Sequence, residues 1–346
     1  MSEANAILKP EELQPAADLA RQTLAQLDAI LLGRKELHRL MLYGILARGH
    51  ILFEGLPGLG KTALVRTVGH ILKLDFKRIQ FTPDLMPGDV LGTHILQETA
   101  TGKRELVFQP GPVFTNILLA DEINRASPKT QSAMLETMQE HCVTLLGTTR
   151  ELPRPFFVLA SQNPVELEGT YPLPEAQLDR FLFRLLFDAM DAAVLEEIIA
   201  GRRRGELPAP TWQMERHELE SLFRTMDRIY LPRPVAGYIA RLVTATHPES
   251  PEATEPVKRY VTYGASPRAA IAIAEAARAH ALVAGRPSVG FEDVKAVAQP
   301  VLNHRLILNY QARFDRLNAA KLVTDLIAQL DETGLNLPAD LELANR

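Results

Sequence analysis

One cysteine in 346 residues, Cys142, leaves no internal disulfide to staple a fold and no second thiol for a zinc cluster. An excess of one charge is also missing. Lys and Arg total 38 against 42 Asp and Glu, a formal net charge of -4, so no overall basic field draws the chain to nucleic acid or an anionic membrane. No apolar run approaches a bilayer span, and Met1-Ser-Glu-Ala-Asn has neither the basic start nor the apolar core of a secretory signal. The expectation is a cytoplasmic protein without direct membrane insertion. The nine histidines are scattered, with no His-Glu-x-x-His run, and no Gly-x-Ser-x-Gly elbow occurs, so zinc-protease and serine-hydrolase chemistry find no support. What is present is 46% hydrophobic residues, enough for two domains with their own cores.

Ile51-Leu52-Phe53 reads as a short buried strand, and the periodicity from Ala63 to Leu74 reads as a helix. Between them, Gly55-Leu56-Pro57-Gly58-Leu59-Gly60-Lys61-Thr62-Ala63 fits the phosphate-loop pattern G-x-x-x-x-G-K-T in full. Glycines let successive backbone N–H groups turn inward, and the helix start aims its positive dipole end at the same point. Lys61 is assigned to the β- and γ-phosphates of ATP and the Thr62 hydroxyl to Mg²⁺. The turn Leu31-Leu32-Gly33-Arg34, between two helical stretches, is either an adenine-side contact or an ordinary joint.

Ile117-Leu-Leu-Ala-Asp121-Glu122 is a buried strand ending in two acids. The C-terminal edge of a parallel sheet is where ligands bind, which suits Asp121 to Mg²⁺, mostly through water, and Glu122 to polarising the attacking water. Phe156-Phe-Val-Leu-Ala-Ser-Gln-Asn163 ends in the same way, in a neutral amide able to bond a γ-phosphate or water; the plainer reading is an Asn-Pro turn. A helix from Leu173 carries Arg180 into the apolar run Phe181 to Phe187, where it either serves a neighbouring subunit or pairs with Asp179 or Glu175. Two hairpins are expected, one around Thr101-Gly102 and one within Val143 to Leu152. From Asp188 helical periodicity takes over, giving an α/β nucleotide-binding domain over 1–187 and a smaller all-helical domain over 188–346. In the latter, Gly264-Ala-Ser266-Pro267-Arg268 sets a cation beside a helix N-terminus, which makes sense with an anion between them.

Gly55 to Thr62, Asp121-Glu122-Ile-Asn-Arg-Ala126, Ser161-Gln-Asn-Pro164, Pro174-Glu-Ala-Gln-Leu-Asp-Arg-Phe181 and Gly264-Ala-Ser-Pro-Arg268, in this order, resemble the MoxR family of AAA+ ATPases. The resemblance implies a Walker A loop at Gly55 to Thr62, a Walker B pair at Asp121 and Glu122, sensor 1 at Asn163 and sensor 2 at Arg268. It also implies an arginine finger at Arg180, with Arg125 in reserve, and a homo-hexamer whose two hairpins face a central pore. Members of the family resemble chaperone-like motors that act on protein partners, often with von Willebrand factor A domains. One departure is Gly33-Arg34 where related ATPases often carry Gly-Gln. Two alternatives stay open at this point: a nucleic-acid motor, against which the balanced charge argues, and a scaffold that ATP merely locks.

Overall fold

The computed structural model describes residues 7–98, 104–164, 169–202 and 206–332. Its backbone divides into two compact units, Gln14–Asp227 and a second made of Arg228–Arg346 with Met1–Leu13. Helices α1 (Pro10–Ile30) and α2 (Lys35–Leu46) lead into strand β1 (His50–Glu54), helix α3 (Lys61–Ile71) and strand β2 (Phe76–Gln80). Helix α4 (Pro87–Leu91) and the paired strands β3 (Gly92–Glu98) and β4 (Arg104–Pro110) precede β5 (Ile117–Asp121). A 3-10 turn over Ile123–Arg125, helix α5 (Pro128–Glu140) and the hairpin β6 (Cys142–Leu145) and β7 (Thr148–Glu151) follow. Strand β8 (Phe157–Gln162), α6 (Glu175–Leu178), β9 (Phe181–Leu186), α7 (Ala192–Gly201) and α8 (Arg216–Asp227) complete this unit.

Strands β1, β2, β5, β8 and β9 form one parallel sheet in the order β2-β5-β8-β1-β9. The apolar runs explain the order. Ile51 to Phe53, Ile117 to Ala120 and Phe157 to Ala160 are buried along their whole length, as strands covered on both faces must be. Strand β2, with exposed Lys77 and Arg78, takes an edge, where charge blunts unwanted pairing. The chain runs from β1 out to β2, returns through β5 and β8, then crosses β1 to reach β9. That reversal sets the C-terminal ends of β5, β8 and β1 around one crevice. Helix α5 is capped by Ser127, whose Oγ accepts from the Thr130 N–H, and it buries Met134, Leu135 and Met138 against the sheet core. Each such burial contributes about 2 kcal/mol.

The second unit contains α9 (Arg233–Thr244), α10 (Glu255–Tyr260), α11 (Pro267–Val283), α12 (Phe291–Leu302), α13 (Tyr310–Phe314) and α14 (Ala319–Gln329). It also holds a short antiparallel pair, β10 (Val261–Tyr263) with β11 (Ile307–Leu308), which helical periodicity does not announce. Three sequence readings differ in detail. The compact units divide at Asp227 rather than after Phe187, because 211–227 is tied to the sheet side. There the Met214 N–H donates to Ile71 O at 2.7 Å, and Arg48 grips both Asp227 oxygens at 2.6 and 2.8 Å. Arg180 is not on a helix, since α6 stops at Leu178 and Arg180 lies in the connection before β9. The polar Pro-rich stretch 247–256 reads as a loop, yet Glu255 and Pro256 enter α10, with Thr254 at its N-cap. The turn at Thr101-Gly102 and the residues Arg203 and Arg204 lie outside the described residues. Among the described residues, no helix is long and apolar enough to cross a membrane.

Candidate functional site: a phosphate loop, a carboxylate pair and an adjoining apolar pocket

The loop after β1 is built by its glycines for two different reasons. Gly58 (φ +81°) and Gly60 (φ +92°) hold left-handed backbone that side chains disfavour, although a Cβ at either would meet nothing within 4 Å. Gly55 is fixed by proximity instead: a Cβ there would sit 2.6 Å from the Phe187 carbonyl oxygen. Gly60 caps α3, whose first residues are Lys61 and Thr62. Lys61 is 9% exposed, and its Nζ donates to Gly55 O at 2.5 Å. Burial pushes its pKa down, opposed in part by the carboxylates of Asp121, Glu122 and Glu54. An anion entering the loop would meet a cation already stripped of much of its water.

Across the crevice, one hydroxyl organises both acids. Ser161, fully buried on β8, accepts from the Glu122 N–H at 2.9 Å and donates to Asp121 Oδ1 at 2.5 Å. Glu122 needs the support, because its φ of 55° is a left-handed conformation unusual for a glutamate. Asp121 Oδ2 accepts from Arg78 on β2 through Nε at 3.0 Å and a terminal nitrogen at 2.7 Å. The Arg125 guanidinium lies 3.2 Å from Glu122 Oε2 in the same chain. Asn163, 6% exposed, follows β8, and its carbonyl accepts from the Asn124 side chain.

These groups surround one cavity of about 380 Å³, lined by Pro57, Gly58, Gly60, Lys61, Thr62 and Ala63 from the loop and by Arg78, Asp121, Glu122 and Asn163 opposite. Leu56 is half exposed, and Leu59 faces a second, adjoining cavity of about 160 Å³ that shares Gly60 and Ala63 with the first. Its walls are apolar, with Leu31, Leu32, Leu37, Leu64, Phe187 and Met190 among them. Arg34 staples this pocket together. One terminal nitrogen donates to Leu59 O at 2.7 Å and the other to Asp188 O, while the guanidinium lies 4.9 Å from the Phe187 ring centre. Burial lowers its pKa. The departure at Gly33-Arg34 thus has a structural task, joining the phosphate loop to the segment after β9.

Two sequence-predicted arginines are not among the residues that line this cavity. The Arg180 guanidinium has no ion-pair or hydrogen-bond partner among the described residues, Asp179 and Glu175 included, and its Nε is buried. Arg268 belongs to the second unit, where its N–H donates to the capping Ser266 Oγ at 3.2 Å. Sequence reasoning missed Ser161 and Arg78. A hydroxyl within an apolar strand, two residues before Asn163, was the available signal for the first, since a buried hydroxyl must find a partner. The second depends on the register that pairs Gln80 with Asp121. A larger cavity of about 510 Å³, lined by Leu72, Phe156, Leu219 and Phe223 among others, lies at the opposite ends of the strands and contains none of these groups. Chemistry, not size, marks the site.

The profile of the ATPase family associated with various cellular activities (AAA) matches residues 50–183, and that of the AAA lid domain matches residues 254–326. The chain is 42% identical to Chaperone MoxR1 of Mycobacterium tuberculosis, over 89% of this chain and 81% of that one. It is 41% identical to the uncharacterized protein YeaC of Bacillus subtilis, over 92% and 95%. A crystal structure of a protein from Cytophaga hutchinsonii assigned as an ATPase superposes with a TM-score of 0.84 at 38% identity, covering 93% of this chain and 97% of the other. With the P-loop sheet, the lid and relatives of that name spanning most of its length, this chain belongs to the MoxR family of AAA+ ATPases.

Proposed function

We propose that the chain is one subunit of a cytoplasmic, ATP-hydrolysing homo-hexamer that remodels or activates a protein partner, one carrying a von Willebrand factor A domain. Lys61 and the loop N–H groups hold the phosphates, and Glu122 orients the attacking water and takes its proton. Asn163 bonds the γ-phosphate or that water. Thr62 and Asp121 offer the hard oxygen donors that Mg²⁺ prefers. Both Asp121 oxygens already accept protein donors, so its hold on the ion runs through water. When bound, Mg²⁺ would neutralise charge on the phosphate oxygens. Arg268 acts as the lid's reporter of the nucleotide state.

The observation that carries the shared-site reading is the position of Arg180. It immediately precedes Phe181, which registers with His50 at the start of β1, whereas the phosphate loop leaves the far end of β1 after Glu54. Four residue steps of about 3.3 Å put about 13 Å of sheet between them. A guanidinium without a partner among the described residues, at the opposite end of the strand from its own phosphate loop, is suited to a neighbour's phosphates. Arg125 is already engaged with Glu122 in its own chain. A protein partner accords with the apolar pair Leu96 and Leu106, both more than 60% exposed across the β3–β4 ladder, and with Leu146, 79% exposed in the β6–β7 turn.

The test is steady-state ATP hydrolysis over a protein concentration series, with mass measured in parallel, for wild type and Arg180→Ala. Specific activity should rise with assembly and collapse in the variant while nucleotide binding persists. Activity independent of both concentration and Arg180 would overturn the shared site.

A further inference from the structure

Among the described residues, the apolar pocket beside the phosphate loop is lined by one side chain whose nitrogen or oxygen can accept a hydrogen bond. Arg34, His38 and Arg202 are its polar lining residues, and the two arginines are donors only. His38, on α2, is 2% exposed, and its Nδ1 lies 2.7 Å from Asp28 Oδ1 on α1. A carboxylate only accepts, so in the neutral imidazole Asp28 fixes the proton on Nδ1 and leaves Nε2 as a bare lone pair. Nε2 has no hydrogen-bond partner among the described residues.

We infer that His38, oriented by Asp28, reads the 6-position of the purine and makes the pocket select adenine over 6-oxopurines. An exocyclic amino group donates, which a lone pair on Nε2 accepts. A 6-oxo group presents a second lone pair, and the two acceptors repel. The selectivity therefore resides in the tautomer, and the residue that sets the tautomer, Asp28, never touches the base. This inference rests on the nucleotide-binding reading of the site.

The experiment is displacement of a ribose-labelled fluorescent ATP analogue by ATP, by inosine triphosphate and by purine riboside triphosphate, which lacks any 6-substituent. Wild type, His38→Leu and Asp28→Asn are compared, with folding checked by circular dichroism. Wild type should prefer ATP to inosine triphosphate by about tenfold or more. In His38→Leu the preference should shrink to within about threefold, through weaker ATP binding, with purine riboside triphosphate unaffected. In Asp28→Asn an amide N–H is able to donate to Nδ1 and move the proton to Nε2, so inosine triphosphate should gain affinity. An ATP preference identical in all three proteins would overturn the inference and assign the base to backbone carbonyls. Failure of every triphosphate to displace the probe from wild type would instead overturn nucleotide binding itself.

Discussion

Ser161→Ala is the sharpest test of how the two acids are held. The hydroxyl accepts from the Glu122 N–H at 2.9 Å and donates to Asp121 Oδ1 at 2.5 Å, in a position with no solvent access. A neutral hydrogen bond is worth about 1 kcal/mol net and one to a carboxylate about 1.5–3 kcal/mol, so the sheet unit should lose about 3 kcal/mol of stability. The kinetic effect follows from backbone strain. Left-handed φ at a glutamate costs about 1–3 kcal/mol, and removing a bond that opposes it lets Glu122 relax. A loss of 1–2 kcal/mol in the productive arrangement corresponds to a fall in kcat of about five- to thirtyfold. The phosphate loop is untouched, so ATP affinity should move by less than about threefold. Urea unfolding, steady-state turnover and equilibrium nucleotide binding read the three quantities separately. An unchanged kcat, or a kcat that falls only in step with ATP affinity, would refute the role given to Ser161.

Lys61→Ala removes a buried ammonium aimed at the loop, so ATP affinity should drop by about ten- to a hundredfold while the nucleotide-free protein keeps its melting temperature; unchanged affinity by titration calorimetry would count against the assignment. Gly55→Ala drives a methyl onto the Phe187 carbonyl at 2.6 Å, and it should lower stability and nucleotide binding together; wild-type values in both assays would show that the two segments part freely. His50 is buried neutral, donating through Nε2 to Met138 O and accepting the Val158 N–H at Nδ1, and its pKa is pushed down to about 4. Above pH 6.5 it is neutral in both states; as pH falls from 6.5 towards 4 the unfolded chain alone takes up the proton, removing about 3 kcal/mol of stability. Unfolding curves from pH 8 to 4 for wild type and His50→Asn test this, and an equal decline in both would clear His50.

The sequence displayed the chemistry better than the connections that arrange it. The loop from Gly55 to Thr62, the paired acids and Asn163 each end an apolar strand, and such strands are legible because burial on both faces demands uninterrupted hydrophobic residues. Arg180 was misplaced onto a helix because Glu175 to Leu178 shows one helical turn, too short for periodicity to mark its end. Ser161, Arg78 and Arg34 act through partners about 25 to 150 residues away, set by register and crossover. Pairing at that range leaves no local pattern. The same holds for β10 and β11, three and two residues long and separated by two helices.

The sheet has poles. One end of β1 opens into the phosphate loop, and the other lies beside an arginine that none of the described residues neutralises. A two-fold contact would join like poles and complete no site, whereas head-to-tail contact joins unlike ones. If Arg180 serves a neighbour as proposed, a lone subunit has no complete site, and an open row of n subunits has n − 1. Only closure gives every loop an arginine. On the proposed shared site, ring closure would be a step in catalysis, and a single finger-less subunit would disable its neighbour rather than itself.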